Sequence, residues 1–168
     1  MSRWSWIARD CEMGRRLVLF ACCLGISSNA WALLQSCSVS AVPVNFGIYN
    51  PLAGAPATAT GTVTVTCTVT LIGLLESWTV ALSSGNSGNF TTRQLANGSS
   101  SLGYNLYTSA AYSSVWGDGS GATSVVSGSQ PLGVGTTNNY YTVYGRIPAG
   151  QDAAAGTFTD TIVVTLNY

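Results

Sequence analysis

Acid–base or nucleophilic chemistry needs titratable side chains within reach of one another, most often including a histidine. From Leu33 onward the chain carries four carboxylates, Glu76, Asp118, Asp152 and Asp160, two bases, Arg93 and Arg146, and neither histidine nor lysine. The four acids fall in different expected elements with no motif around them. Neither a glycosidase carboxylate pair nor a nucleophile with its base is therefore expected, and the chain does not read as an enzyme. Asp160 differs from the others because it shares parity with the apolar positions of the last expected strand, which suits a strand start at the rim or a hydrogen bond to a neighbouring loop. Trp116-Gly117-Asp118-Gly119-Ser120-Gly121 offers one acid where calcium takes about six to eight oxygens. A turn after a strand is expected there, and no metal or cofactor. Tyr104, Tyr107, Tyr112 and Trp116 would make a sugar-stacking platform if they shared a surface; core and sheet-face aromatics with hydroxyls at the edge are the plainer expectation.

The remaining chemistry is sulfur chemistry, and it depends on where the chain goes. Arg15 and Arg16 precede a ten-residue apolar run, Leu17 to Ile26, which is shorter than the roughly 20 residues a membrane-spanning helix needs. Ala30 and Ala32 then supply the small-x-small pattern of a signal-peptidase site. Residues 1–32 are expected to be a signal peptide cleaved after Ala32, and residues 33–168 a single β-sandwich domain with no integral membrane segment. Met13 stands just ahead of the arginine pair, so Met1 and Met13 are both open as the start. Cys11, Cys22 and Cys23 leave with the signal, and Cys37 and Cys67 remain in a chain bound for an oxidising compartment, where a disulfide between them is the natural reading. Leu34-Gln35-Ser36-Cys37 faintly resembles a lipobox, but Gln fits that pattern poorly and Cys67 would then lack a partner.

Two bases against four acids leave the expected mature chain at a net charge of −2. So little positive charge gives no field for phosphate backbones or anionic lipids, so nucleic-acid binding is not expected. Abundant Val, Thr and aromatic residues with few charges are the opposite of a disordered composition.

The elements that must position these residues are strands. Val63, Val65, Cys67, Val69 and Leu71 alternate without error against Thr62, Thr64, Thr66, Thr68 and Thr70, the period-2 pattern of a half-buried strand with Cys67 facing the core. Phe158, Ile162, Val164, Leu166 and Tyr168 share one parity in a second such segment at the end of the sequence. Weaker strands are expected at Cys37–Phe46, Trp78–Ser83, Leu102–Thr108 and Tyr140–Ile147, and loops at Asn50–Ala59, Ser84–Asn89, Gly117–Gly121 and Pro148–Gly156. In Cys37–Phe46 the parity changes at Pro43, where a bulge or a change of sheet is expected. No stretch has a helical period.

Several stretches together carry a resemblance: Cys37-Ser38-Val39-Ser40, Pro43 to Pro51 (PVNFGIYNP), Gly61 to Cys67 (GTVTVTC), Leu102 to Tyr107 (LGYNLY), Val115 to Gly119 (VWGDG), Tyr144 to Pro148 (YGRIP) and the terminal strand ending in Tyr. In order and spacing they resemble the spore coat protein U domain family, whose members include subunits of archaic chaperone-usher pili. The resemblance implies an all-β, incomplete immunoglobulin-like β-sandwich lacking its final strand. It also implies the partners: a periplasmic pilus chaperone that fills the gap first, an outer-membrane usher, and a neighbouring pilin subunit whose N-terminal extension replaces the chaperone. The expected route is export through the periplasm to the cell surface, in a fimbrium or secreted, with roles in adhesion and biofilm. The expected acceptor groove has Ile162, Val164, Leu166 and Tyr168 on one wall and Val39 with Ala41 on the other. Between Ala32 and Cys37 stand only four residues, reaching at most about 14 Å, where a donor strand of about nine needs roughly 30 Å. This subunit is expected to accept a strand and not to donate one, as a tip or terminal subunit would. Alternative readings are a non-polymerising coat or matrix protein and a carbohydrate-binding surface module.

Overall fold

The computed structural model describes residues 35–70, 76–130 and 133–168. The expected signal peptide, Leu33, Leu34 and Leu71 lie outside the described residues. In chain order the strands are β1 (Gln35–Val42), β2 (Ala57–Val69), β3 (Glu76–Leu82), β4 (Arg93–Asn97), β5 (Ser100–Tyr107), β6 (Val115–Trp116), β7 (Thr123–Ser124), β8 (Val126–Gln130), β9 (Gly135–Ile147) and β10 (Val164–Asn167). A 3-10 turn at Gly85–Ser87 is the one helical element among the described residues.

Threonine–valine alternation in β2 buries Val63, Val65, Cys67 and Val69 and turns the threonines to the opposite face. Strand β9 runs antiparallel beside β2 from Ala57 opposite Ile147 to Val69 opposite Gly135, and β1 covers the other side with Cys37 opposite Cys67. The first sheet continues β1-β2-β9-β5-β6-β7, with β4 paired to β5, and the second runs β10-β3-β8. Between them lie Val63, Val65 and Cys67 of β2, Trp78, Val80 and Leu82 of β3, Leu102 and Leu106 of β5, and Val143 and Ile147 of β9. Two indoles tie the layers together: Trp116 Nε1 donates to Val80 O at 2.9 Å and Trp78 Nε1 to Tyr141 OH at 3.0 Å. Both polar handles are satisfied, so the buried rings add apolar area without an orphaned donor. The result is an immunoglobulin-like sandwich with the disulfide from Cys37 to Cys67 in place.

Two expected strands are shorter than their patterns. The first ends at Val42, because Pro43 cannot donate to a ladder. Beyond it the chain leaves the sheet and crosses its inner face, and Val44 and Phe46 pack on the core. The last keeps its alternating burial from Phe158 to Leu166, but its regular ladder covers only Val164–Asn167 opposite β3. Upstream, Thr159 exchanges both backbone hydrogen bonds with Ala96 of β4, and the Val163 N–H is taken by Ser83 Oγ.

The crossing after β1 depends on two glycines. A β-carbon at Gly61 would stand 2.6 Å from the Val42 carbonyl oxygen, and one at Gly145 would stand 2.6 Å from Val44 Cγ1 and 2.7 Å from Phe46 Cζ. Gly145→Ala should therefore destabilise by about 1–3 kcal/mol, the usual cost of overpacking a filled interior. Urea unfolding followed by tryptophan fluorescence checks this; an unchanged midpoint would show that Val44 and Phe46 move aside freely.

Candidate functional site

The first sheet ends at β1 and the second at β10, and among the described residues neither has a strand on its outer side. The two edges approach each other on the same flank of the sandwich. Between them opens a cavity of about 200 Å³, walled by Ala41 to Val44 and Phe46 on one side and Ile162 and Val164 on the other, with Val63, Leu106 and Val143 beneath. A second cavity of about 780 Å³ shares Pro43, Val44, Phe46 and Leu95 with the first, and adds Leu102, Ile147 and the 153–158 segment. Apolar walls between two unpaired backbone edges can take up an extended segment, which would bury its alternate side chains and satisfy its N–H and C=O groups on an edge.

The residues expected for this groove are partly gathered there. Ala41, Ile162 and Val164 line the first cavity. Val39 and Leu166 are half-buried against the core beside it, and Tyr168 is 59% exposed and lies outside the lining. Val44 and Phe46, expected in a strand, form much of one wall.

Beneath the groove is a polar network that sequence reasoning missed. Arg93, 0% exposed, donates through Nε and Nη2 to Ser83 O, through Nη1 to Asn105 Oδ1 at 2.6 Å, and through Nη2 to Trp116 O at 2.7 Å. Its charge faces the Phe90 ring at 5.3 Å. Burial lowers the Arg93 pKa, and the fields of Tyr104, Asp160 and Tyr107 oppose that shift. Asn105 passes the connection on, donating to Phe90 O and Thr91 O. The signal for Arg93 was its rarity, as one of two bases after the expected leader.

Of the two places expected for Asp160, a strand start at the rim or a hydrogen bond to a neighbouring loop, the structure gives the second. Its Oδ1 accepts from Asn86 N at 2.8 Å and Thr161 N at 2.7 Å, and its Oδ2 accepts from the Tyr104 hydroxyl at 2.8 Å. Burial, and then this hydrogen bond, hold the Tyr104 hydroxyl well above the usual tyrosine range. Gly85, at φ 69°, gives the carboxylate room, since a β-carbon there would collide with it.

The other candidates are dispersed. Tyr104 and Trp116 are buried, whereas Tyr107 and Tyr112 meet edge to face at 5.4 Å with Arg146 over the Tyr112 ring, so the four aromatics share no platform. Asp118 accepts from Ser120 N within its turn, and hydrogen bonds from Ser120 hold its carboxyl below the usual range.

A family model described as the Spore Coat Protein U domain matches residues 24–165. A protein named Protein U from Myxococcus xanthus is 30% identical over 133 residues, covering 74% of this chain and 71% of that protein. Among solved structures, the chaperone–tip adhesion subunit pre-assembly complex from archaic chaperone-usher Csu pili of Acinetobacter baumannii shares the fold at a TM-score of 0.50 and 21% identity. That match covers 80% of this chain and 40% of the solved one.

Proposed function

The chain belongs to the Spore Coat Protein U domain family, and from that membership and the open groove we propose that it is an exported structural subunit of a surface fimbria, assembled by a chaperone-usher route through donor-strand complementation. Residues 1–32 are the cleaved signal and residues 33–168 the folded subunit, which performs no catalysis. The observation that carries the reading is the apolar groove between the edges of β1 and β10. A periplasmic chaperone lends it a strand, an outer-membrane usher receives the complex, and a neighbouring subunit supplies the replacement strand. The solved likeness to a subunit bound by its chaperone supports the chaperone among these partners. The finer reading is a tip or terminal position, supported by the four residues between the expected cleavage point and Cys37.

Adding the missing strand tests this. A synthetic peptide of alternating apolar residues at about 100 times its Kd should stabilise the exported protein by about 2.7 kcal/mol, because it binds only the folded state. Its melting temperature should rise by several degrees. Ile162→Asp should abolish the gain by placing an unpaired charge in the groove, whereas Thr165→Asp, on the exposed face, should leave most of it. A protein indifferent to every added strand has no acceptor groove, and the fimbrial reading then falls.

A further inference from the structure

The groove has one charge on its wall. Of the residues that line the first cavity, all are apolar except Tyr104 and Asp160, and the Tyr104 hydroxyl is already committed as a donor to Asp160. Asp160 takes the same parity as Phe158, Ile162 and Val164, so it occupies a position where an arriving strand would otherwise meet an apolar side chain.

A carboxylate offers about four lone-pair sites. Three donors are named for Asp160: Asn86 N and Thr161 N on Oδ1, and Tyr104 on Oδ2. In the open groove water can serve the fourth site. A strand of purely apolar residues would expel that water and leave a charged oxygen one partner short, which is the costly case for buried polar groups. The arriving strand must therefore bring a donor. A second cation is not required, because the buried guanidinium of Arg93 already supplies a compensating positive charge, and its hydrogen-bond partners are the neutral oxygens of Ser83, Asn105 and Trp116.

We infer that the groove reads one polar residue, and that the strand it accepts carries a small hydroxyl side chain, Thr or Ser, at the register facing Asp160. Asp160 is then a specificity-determining residue. It weakens the binding of apolar strands that lack the hydroxyl and aligns those that have it, since a slip by two residues would place the hydroxyl against an apolar wall and leave the carboxylate unserved. This rests on the strand-accepting reading given above.

The test uses near-isosteric donor peptides. In an alternating apolar strand peptide, each inward position in turn is Val or Thr, and each peptide is titrated against the exported protein. At one inward position the Thr peptide should bind about tenfold tighter than its Val counterpart, as a hydrogen bond to a charged acceptor warrants, and at the others Val should win. With Asp160→Ala the preference at that position should reverse. If that variant does not fold, Asp160→Asn should still reduce the preference to a few-fold, because a neutral oxygen accepts more weakly. Val equal or better at every position, with the peptides binding, overturns the inference and leaves the groove reading standing. A Lys peptide that outbinds the Thr peptide also overturns it. Failure of every peptide to bind removes the groove reading itself.

Discussion

Arg93→Ala should cost about 3–5 kcal/mol of folding free energy, the scale for breaking a buried, hydrogen-bonded charge network. The side chain serves oxygens from three separate places: Ser83 just after β3, Asn105 in β5 and Trp116 in β6. Removing it takes the guanidinium donors from Ser83 O and Trp116 O, leaves Asn105 Oδ1 with the Leu106 N–H alone, and also leaves the volume of a guanidinium unfilled. Arg93→Lys should recover less than half of the loss, because a point charge on a flexible stem cannot reproduce the planar fork. Urea unfolding read by Trp78 and Trp116 measures both variants. A loss below about 1 kcal/mol for Arg93→Ala would mean that water replaces the guanidinium and that the network is not a structural centre.

Cys37→Ala should cost about 3–4 kcal/mol and lower the melting temperature by roughly ten degrees. The bond closes a separation of 30 residues, and loss of that closure enlarges the unfolded ensemble. It also acts locally, since among the described residues β1 is an edge strand paired with β2 alone. Without the staple, β1 is free to fray and to carry the wall at Ala41 with it. The wild-type protein under strong reductant should show the same midpoint as the variant. If reduction changes neither the midpoint nor peptide binding, the eight-residue ladder from Gln35 to Val42 holds the edge unaided.

Much of this fold was legible because β2 alternates cleanly and period-2 burial leaves no choice of face. The same rule assigned the inward parity of Ile162, Val164 and Leu166, and put Cys67 where Cys37 could reach it. What the pattern did not reveal was how backbone groups are satisfied. The ladder expected from Phe158 onward is interrupted because Ser83 Oγ and Asp160 Oδ1 take N–H groups that a strand would have paired. Strand β4 was hidden by Arg93, a charge at a buried position, and β8 by Gly128, whose missing side chain makes room for the Trp78–Tyr141 pair. The Gly98-Ser99 loop that joins Asn97 to Ser100 was a hairpin signal that would have found β4. One wall of the groove followed from parity. The other, at Val44 and Phe46, requires the open faces of Gly61 and Gly145, which only the three-dimensional crossing shows.

The placement of the two arginines bears on how the folded domain withstands proteolysis. Proteases that cut after basic residues need a flexible segment to draw into their cleft. From Gln35 to Tyr168 the basic residues are Arg93, wholly buried, and Arg146, which stands one residue from the end of β9 but is held between Thr58 on one side and Asn105 on the other. No loop in this stretch presents a lysine or an arginine. A trypsin-type enzyme therefore meets no cleavable site until strands separate, so its cutting rate follows the population of opened molecules and not loop motion. Durability against this class of digestion is built in by where so few charges are kept.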